Sequence, residues 1–150
     1  MASENGGAYV KLVAPTGSQN FWDTDAVVVV ANQGSNLLAA LTELDNAVQG
    51  TRIRLNCDDL GDQVAIRYNF RASQTAARTI VIDILDTSLT TNVLATVSVV
   101  KNALGTYTGE SAYAAKPGWC TGVKEVAVYT SGGNGADDFI FKRVDLIWKP

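Results

Sequence analysis

The chain has 150 residues, 47% hydrophobic and 18% charged, with 12 Lys and Arg against 15 Asp and Glu, a formal net charge of −3 and no histidine. That length and apolar load suit one domain with its own hydrophobic core. The basic residues are scattered, which argues against a nucleic-acid backbone or an anionic membrane as partner, and the missing histidine removes the usual neutral-pH proton shuttle and zinc ligand, leaving carboxylate chemistry and oxygen-ligated calcium open.

In chain order, "AYVKLVA" (residues 8–14) reads as a strand and "PTGSQN" as a turn. "FWDTDAVVVVA" ends in a β-branched run that suits a buried strand, too short to span a membrane. "NQGSNLLAALTELDNAVQG" is the one helical candidate: Leu37, Leu38, Leu41, Leu44 and Val48 recur at helical spacing, Ser35 or Asn36 can cap the start and Gly50 can end it. One short helix near residues 36–48, or a long loop, is expected.

From there the period is two. "TRIRLNC" places Thr51, Ile53, Leu55 and Cys57 on one side and Arg52, Arg54 and Asn56 on the other. "DDLGD" is a turn with acidic residues. "QVAIRYNFRA" (63–72), "RTIVIDILD" (78–86) and "VLATVSVVK" (93–101) follow as strands, separated by "SQTAA" and "TSLTTN". A short strand is expected around Tyr107 or Tyr113. "GVKEVAVYT" (122–130) alternates, with a bulge or late start near Lys124, and "FIFKRVDLIW" changes parity near Lys142, which predicts a second bulge. Eight or nine strands without the helices that a parallel sheet requires predict an all-β fold, an antiparallel β-sandwich or jelly roll, over residues 1–150. Cys57 and Cys120 fit one bridge or two buried thiols equally well.

Three segments resemble a carbohydrate-binding module of the xylan- and β-glucan-binding type, mainly over residues 62–148. "VAIRYNFRASQTAARTIVIDILD" is similar to its strand–loop–strand with an acidic end, "VLATVSVVKNALGTYTGESAY" to a strand and aromatic loop, and "GVKEVAVYTSGGNGADDFIFKRVDLIW" to the penultimate strand, glycine-rich turn and final strand. Tyr107 stands where the family commonly carries tryptophan, and the family's Glu-Ala-Glu start is missing. The resemblance implies a galactose-binding-like jelly roll and non-catalytic binding of polysaccharide or oligosaccharide, which would hold an attached or partner enzyme on β-linked plant-type chains. It also implies that Asn134, Asp137 and Asp138, in the final turn, serve the ligand, with Asp137 and Asp138 as candidate calcium ligands.

A sugar site needs an exposed aromatic plane and groups for the hydroxyls. Tyr107 and Trp119 are the candidate platforms, with Tyr113, Tyr68 and Asn69 beside them. Each has a plainer reading: Trp119 as a plug over one end of the core, and Tyr68, by its strand parity, as a core residue. Asp83, Asp86, Glu110, Glu125 and Asp145 are acidic residues available to an enzyme, but their spacing makes no pair and solvent-facing strand carboxylates explain them. A structural or adhesion sandwich of an extracellular assembly is the main alternative. The polar, weakly charged surface fits an extracellular, carbohydrate-facing domain, and a monomer or a module of a larger protein is expected. "MASENGGAYV" shows no secretion-signal pattern, as expected of a mature domain.

Overall fold

The computed structural model describes residues 16–22, 26–29, 52–72, 75, 77–131 and 138–150. The expected strand at 8–14 and helix near 36–48 lie outside the described residues. Within them the chain forms β1 (Gly17–Trp22), β2 (Ala26–Val29), β3 (Arg52–Asn56), β4 (Gln63–Ala72), β5 (Arg78–Asp86), β6 (Val93–Lys101), β7 (Gly105–Glu110), β8 (Ala114–Ala115), β9 (Val123–Ser131) and β10 (Asp138–Lys149), with one 3-10 turn at Cys57–Asp59.

The strands pair antiparallel in two sheets. In the first, the order is β1-β10-β4-β7; β2 continues β1 alongside β10, and β8 continues β7 alongside β4. In the second, the order is β3-β9-β5-β6. The pairings nest: β1 and β2 with β10, β3 with β9, β4 with β7, and β5 with β6. A chain doubled back on itself and then rolled into two layers gives this order, which is that of a jelly roll. The all-β antiparallel sandwich read from the alternation is therefore the fold.

Period two decides which side chains fill the space between the layers. Val64, Ile66 and Phe70 of β4, Ile80, Ile82 and Ile84 of β5, Val126 and Val128 of β9, and Phe139, Phe141, Val144 and Leu146 of β10 form the buried core. Phe70 lies at its centre, with ring centroids of Tyr107, Phe139 and Phe141 at 5.4, 5.8 and 5.4 Å. The change from odd to even positions along β10 needs one extra residue. The register shift between Phe141 and Arg143 supplies it, which is the bulge expected near Lys142. No shift interrupts the pairing of β9 near Lys124, so the apparent irregularity there is the start of the strand at Val123. "PTGSQN" is corrected in part: its last four residues open β1 and pair with Asp145 to Trp148, where cross-strand bonding overrides local turn preference.

Cys57 and Cys120 are bonded, and both are buried. The bridge ties the end of β3 to the approach of β9, next to the Asn56–Val123 pair and the Cys57 amide bond to the Gly122 carbonyl at 2.8 Å. Gly61 follows at a place with no room for a Cβ, against the Lys149 backbone. The cysteines stand 63 positions apart, and the unfolded chain loses loop entropy in proportion to the logarithm of that length. Reduction, or the Cys57→Ser/Cys120→Ser pair, is expected to lower unfolding stability by about 4 kcal/mol, measured as the shift in guanidinium midpoint with and without reductant.

Candidate functional site

The side of β4 that faces away from the core carries Arg67, Asn69 and Arg71 in an otherwise apolar strand. Register places these beside the outward residues of both neighbours: Arg67 lies between Asp145 and Glu110, and Asn69 between Arg143 and Thr108. On the far side of β10, Asn20 of β1 is opposite Asp145. One polar row, Asn20–Asp145–Arg67–Glu110, thus crosses four strands. Arg67, Asn69, Thr108, Glu110 and Arg143 wall an open groove of about 300 Å³. Tyr68 and Gly109, at strand positions that belong to the core-facing side, complete its floor.

Asp145 organises the row. Its side chain is 1% exposed, against 41% for Arg67 and 46% for Arg143. One carboxylate oxygen accepts from Asn20 Nδ2 at 2.7 Å; the other accepts from Arg67 Nε and Nη2 at 3.1 and 3.0 Å and from Arg143 Nε at 2.7 Å. Arg67 Nη1 then reaches the exposed Glu110 carboxylate at 3.9 Å. Two guanidiniums stand against two carboxylates along the row, but Asp145 is buried beneath it, so the groove lining itself sets Arg67 and Arg143 against Glu110 alone. The expectation that the strand carboxylates face solvent is corrected for Asp145, and also for Asp86, which is 5% exposed.

Asn69 is the unusual member. Its Oδ1 is buried and finds no hydrogen-bond partner among the described residues. A buried acceptor without a donor costs about 1–3 kcal/mol, and such groups in native proteins call for a specific reason.

Of the residues singled out in the sequence, Tyr68 and Asn69 meet in this groove. Tyr68 is half-buried with its ring 5.9 Å from Phe70, as its parity suggested, and its hydroxyl lies where a Cβ on Gly109 would come within 2.9 Å. Tyr107 is not a free platform: its ring stacks on Phe70 at 13°, and its hydroxyl donates to the Ala103 carbonyl at 2.9 Å and accepts from the Ala103 amide at 3.3 Å. Trp119 is half-buried against the core in the turn where the Cys120 amide donates to the Pro117 carbonyl, beside the disulfide. Tyr113 is half-buried under the Lys149 ammonium, 4.4 Å from its centroid. The candidate aromatics therefore occupy separate places. Asn134 and Asp137 lie outside the described residues, and Asp138 is described only as the first residue of β10, opposite Val29. Among the described residues, no group of three or more His, Cys, Asp or Glu side chains is placed to hold a metal ion.

Arg67, Thr108 and Arg143 were not singled out in the sequence, and Glu110 only as an acid available to an enzyme. The clue was the polar side of β4, the one central strand whose outward positions read Arg, Asn, Arg; the partners that complete the groove come from pairings far apart in the chain.

Compared with known proteins, the chain matches no family model, no curated sequence and no solved structure. Among the described residues no helix is long and apolar enough to cross a membrane.

Titration departs from the ordinary on the other sheet. Burial raises the Asp83 pKa, partly offset by a hydrogen bond from Thr96. At Asp86 burial also pushes upward, but the Ser88 amide and hydroxyl, the Asn92 amide and the Lys124 charge together hold the carboxyl below its usual value. Burial raises Tyr129, with Arg52 opposing and Asp86 and Glu125 adding. The two acids have opposite effects on stability. A lowered folded-state pKa stabilises above the unfolded value and is lost as pH falls through the folded one; a raised pKa destabilises once pH rises past the unfolded value. Asp83→Asn is therefore expected to raise the neutral-pH melting temperature and Asp86→Asn to lower it. Thermal melts from neutral pH to below the ordinary carboxyl range should show both differences shrinking with acidification.

Proposed function

We propose that this protein is a non-catalytic carbohydrate-binding domain that takes its ligand in the groove on β4, β7 and β10. The observation that carries the reading is the buried Asn69 Oδ1, without a hydrogen-bond partner among the described residues, in the wall of a groove lined by two guanidiniums, a carboxylate and a hydroxyl. A sugar hydroxyl is a donor of the right size to meet that oxygen after a small rotation of the amide. The exposed edges of Arg67 and Arg143 donate to ring and hydroxyl oxygens, and Glu110 accepts from hydroxyls. Both guanidiniums are already engaged by carboxylates, Arg67 by Asp145 and Glu110 and Arg143 by Asp145, which leaves less of their charge for phosphates or uronic acids and suits neutral polyhydroxylated chains.

Hydrolysis would ask one carboxylic acid to give up a proton beside a second carboxylate. Asp145 is engaged by three side chains and shielded from solvent, which supports binding over catalysis. The domain would then keep an attached or partner enzyme near an extracellular β-linked polysaccharide by raising its effective concentration. A calcium-assisted site at Asp137 and Asp138, and a platform at Trp119, remain separate proposals for where the ligand sits.

Affinity electrophoresis through xylan, mixed-linkage β-glucan, mannan and pectin, with calcium and then EDTA, tests the reading. Retardation by neutral gels is expected, with little by pectin. Asn69→Ala should weaken binding about tenfold, the loss of one or two hydrogen bonds, while Trp119→Ala leaves it unchanged. Retardation lost in EDTA moves the site to the final turn, loss in Trp119→Ala moves it to that residue, and no retardation on any gel overturns the proposal.

A further inference from the structure

Among the described residues the second sheet ends in β3 on one side and β6 on the other. An unpaired strand edge is a template for another strand, and proteins usually guard it with charge, proline or short length. β3 is short and carries Arg52 and Arg54, both exposed. β6 has nine residues and no proline, and its first eight positions, Val93 to Val100, carry no charge. Its one charged residue, Lys101, is fully buried, with its ammonium 5.6 Å from the Phe139 ring centroid, so it faces away from the edge. The one irregularity, between the Ile84–Ala95 and Leu85–Val93 pairs, lies at the beginning of the strand and leaves the rest regular.

The apolar surface gathers along the same strand. Among the described residues five large apolar side chains are exposed, and four of them belong to β6 or to the turns at its two ends: Leu89 at 53%, Val93 at 39%, Val100 at 67% and Leu104 at 58%. Scattered exposed apolar residues need no explanation, but a cluster along an unguarded edge marks an interaction surface.

We infer that β6 is the contact through which two copies of this chain pair, strand to antiparallel strand, about a two-fold axis at Val97. Charge and sequence select a second copy as the occupant. In this register Val97 meets Val97 of the second copy, Thr96 meets its Ser98, and Ala95 meets its Val99. Hydroxyl faces hydroxyl, apolar faces apolar, and no like charges meet. The same operation on β3 would set Arg52 against Arg54 of the second copy, where like charges directly opposite are destabilising. A two-fold axis makes the contact self-complementary and closed, so the product is a dimer and not a fibre. It joins the two four-stranded sheets edge to edge and leaves the groove on the other sheet open in both copies. Such a dimer departs from the expectation of a monomer.

Sedimentation velocity on the full chain over a wide concentration range tests it. The wild type is expected to show a concentration-dependent dimer. Thr96→Lys/Ser98→Lys places lysine opposite lysine at two symmetric points and should raise the dissociation constant by more than about tenfold. Thr96→Lys/Ser98→Glu places lysine opposite glutamate and should restore dimerisation. Both positions are exposed, and Asp83 lies beside Thr96 to accept the lysine, so circular dichroism melts should stay close to the wild type. A wild type monomeric at every concentration overturns the proposal and leaves the edge to a foreign strand. A dimer indifferent to the double lysine, or one that the Lys/Glu pair fails to restore in a folded protein, also overturns it.

Discussion

Asp145 is a carboxylate on the outer face of a sheet, yet it has almost no contact with water. Removing such a charge from solvent costs several kcal/mol, which paired charges and further hydrogen bonds repay only when the geometry is good. Here that geometry requires β1, β10 and β4 to meet in one register, because the donors Asn20, Arg67 and Arg143 come from these three strands. A one-residue slip would turn Asp145 into the core and bring an apolar neighbour out. The row therefore acts less as a source of stability than as a lock on alignment, and the groove inherits its shape from that lock. The bulge at Lys142 belongs to the same device. It lets Arg143 and Asp145 share one face while Phe141 and Val144 both remain in the core.

The two sheets use their outer faces differently. The first sets Arg67 and Arg143 against Asp145 and Glu110 in the middle of the sheet. The second has a small apolar cluster, Leu85, Ala127 and Tyr129, on the side away from the main core; among the described residues Arg52 and Arg54 lie along one edge, and β6, uncharged from Val93 to Val100, along the other. The turn between β5 and β6 is held by Asp86, which accepts from the Ser88 amide at 2.9 Å and the Ser88 hydroxyl at 2.8 Å. This side-chain turn fixes where β6 begins without placing a charge on the strand itself.

Much of this architecture is legible in the sequence, and the boundary has a physical cause. β4, β5 and β6 begin and end where their alternation does, and Tyr68 lies on the side that parity assigns. The bulge near Lys142 is visible because the apolar parity changes there. Period two reports faces, however, and not partners. That Tyr107 stacks on Phe70 follows from the β4–β7 register, across 37 positions of chain, and a tyrosine between threonines gives no hint of it. Asp145 looks like any solvent-facing strand acid until Arg67, 78 positions away, is laid beside it. The aromatics were chosen in the sequence because sugar faces favour rings, and the fold uses Tyr107 mainly to cover its own core. Asn69 was noticed for its place beside Tyr68. Its buried, unpartnered oxygen belongs to the packed structure and has no counterpart in the sequence.

A groove walled by an amide, guanidiniums and a carboxylate, with the Tyr68 ring in its floor turned toward Phe70, has a definite energetic character. Each sugar hydroxyl exchanges water for a protein group, and the net gain per hydrogen bond is about 0.5–1.5 kcal/mol. Single-site binding of this kind is weak and selective. On the two readings proposed above, the edge contact compensates. Two copies joined through β6 carry two grooves on the sheets that the contact leaves open, and a polysaccharide with many equivalent sites turns the second capture into an intramolecular event. Weak hydrogen-bonded recognition and an unguarded edge strand then become parts of one design, in which affinity for a polymer is set by the spacing of two sites more than by the strength of either.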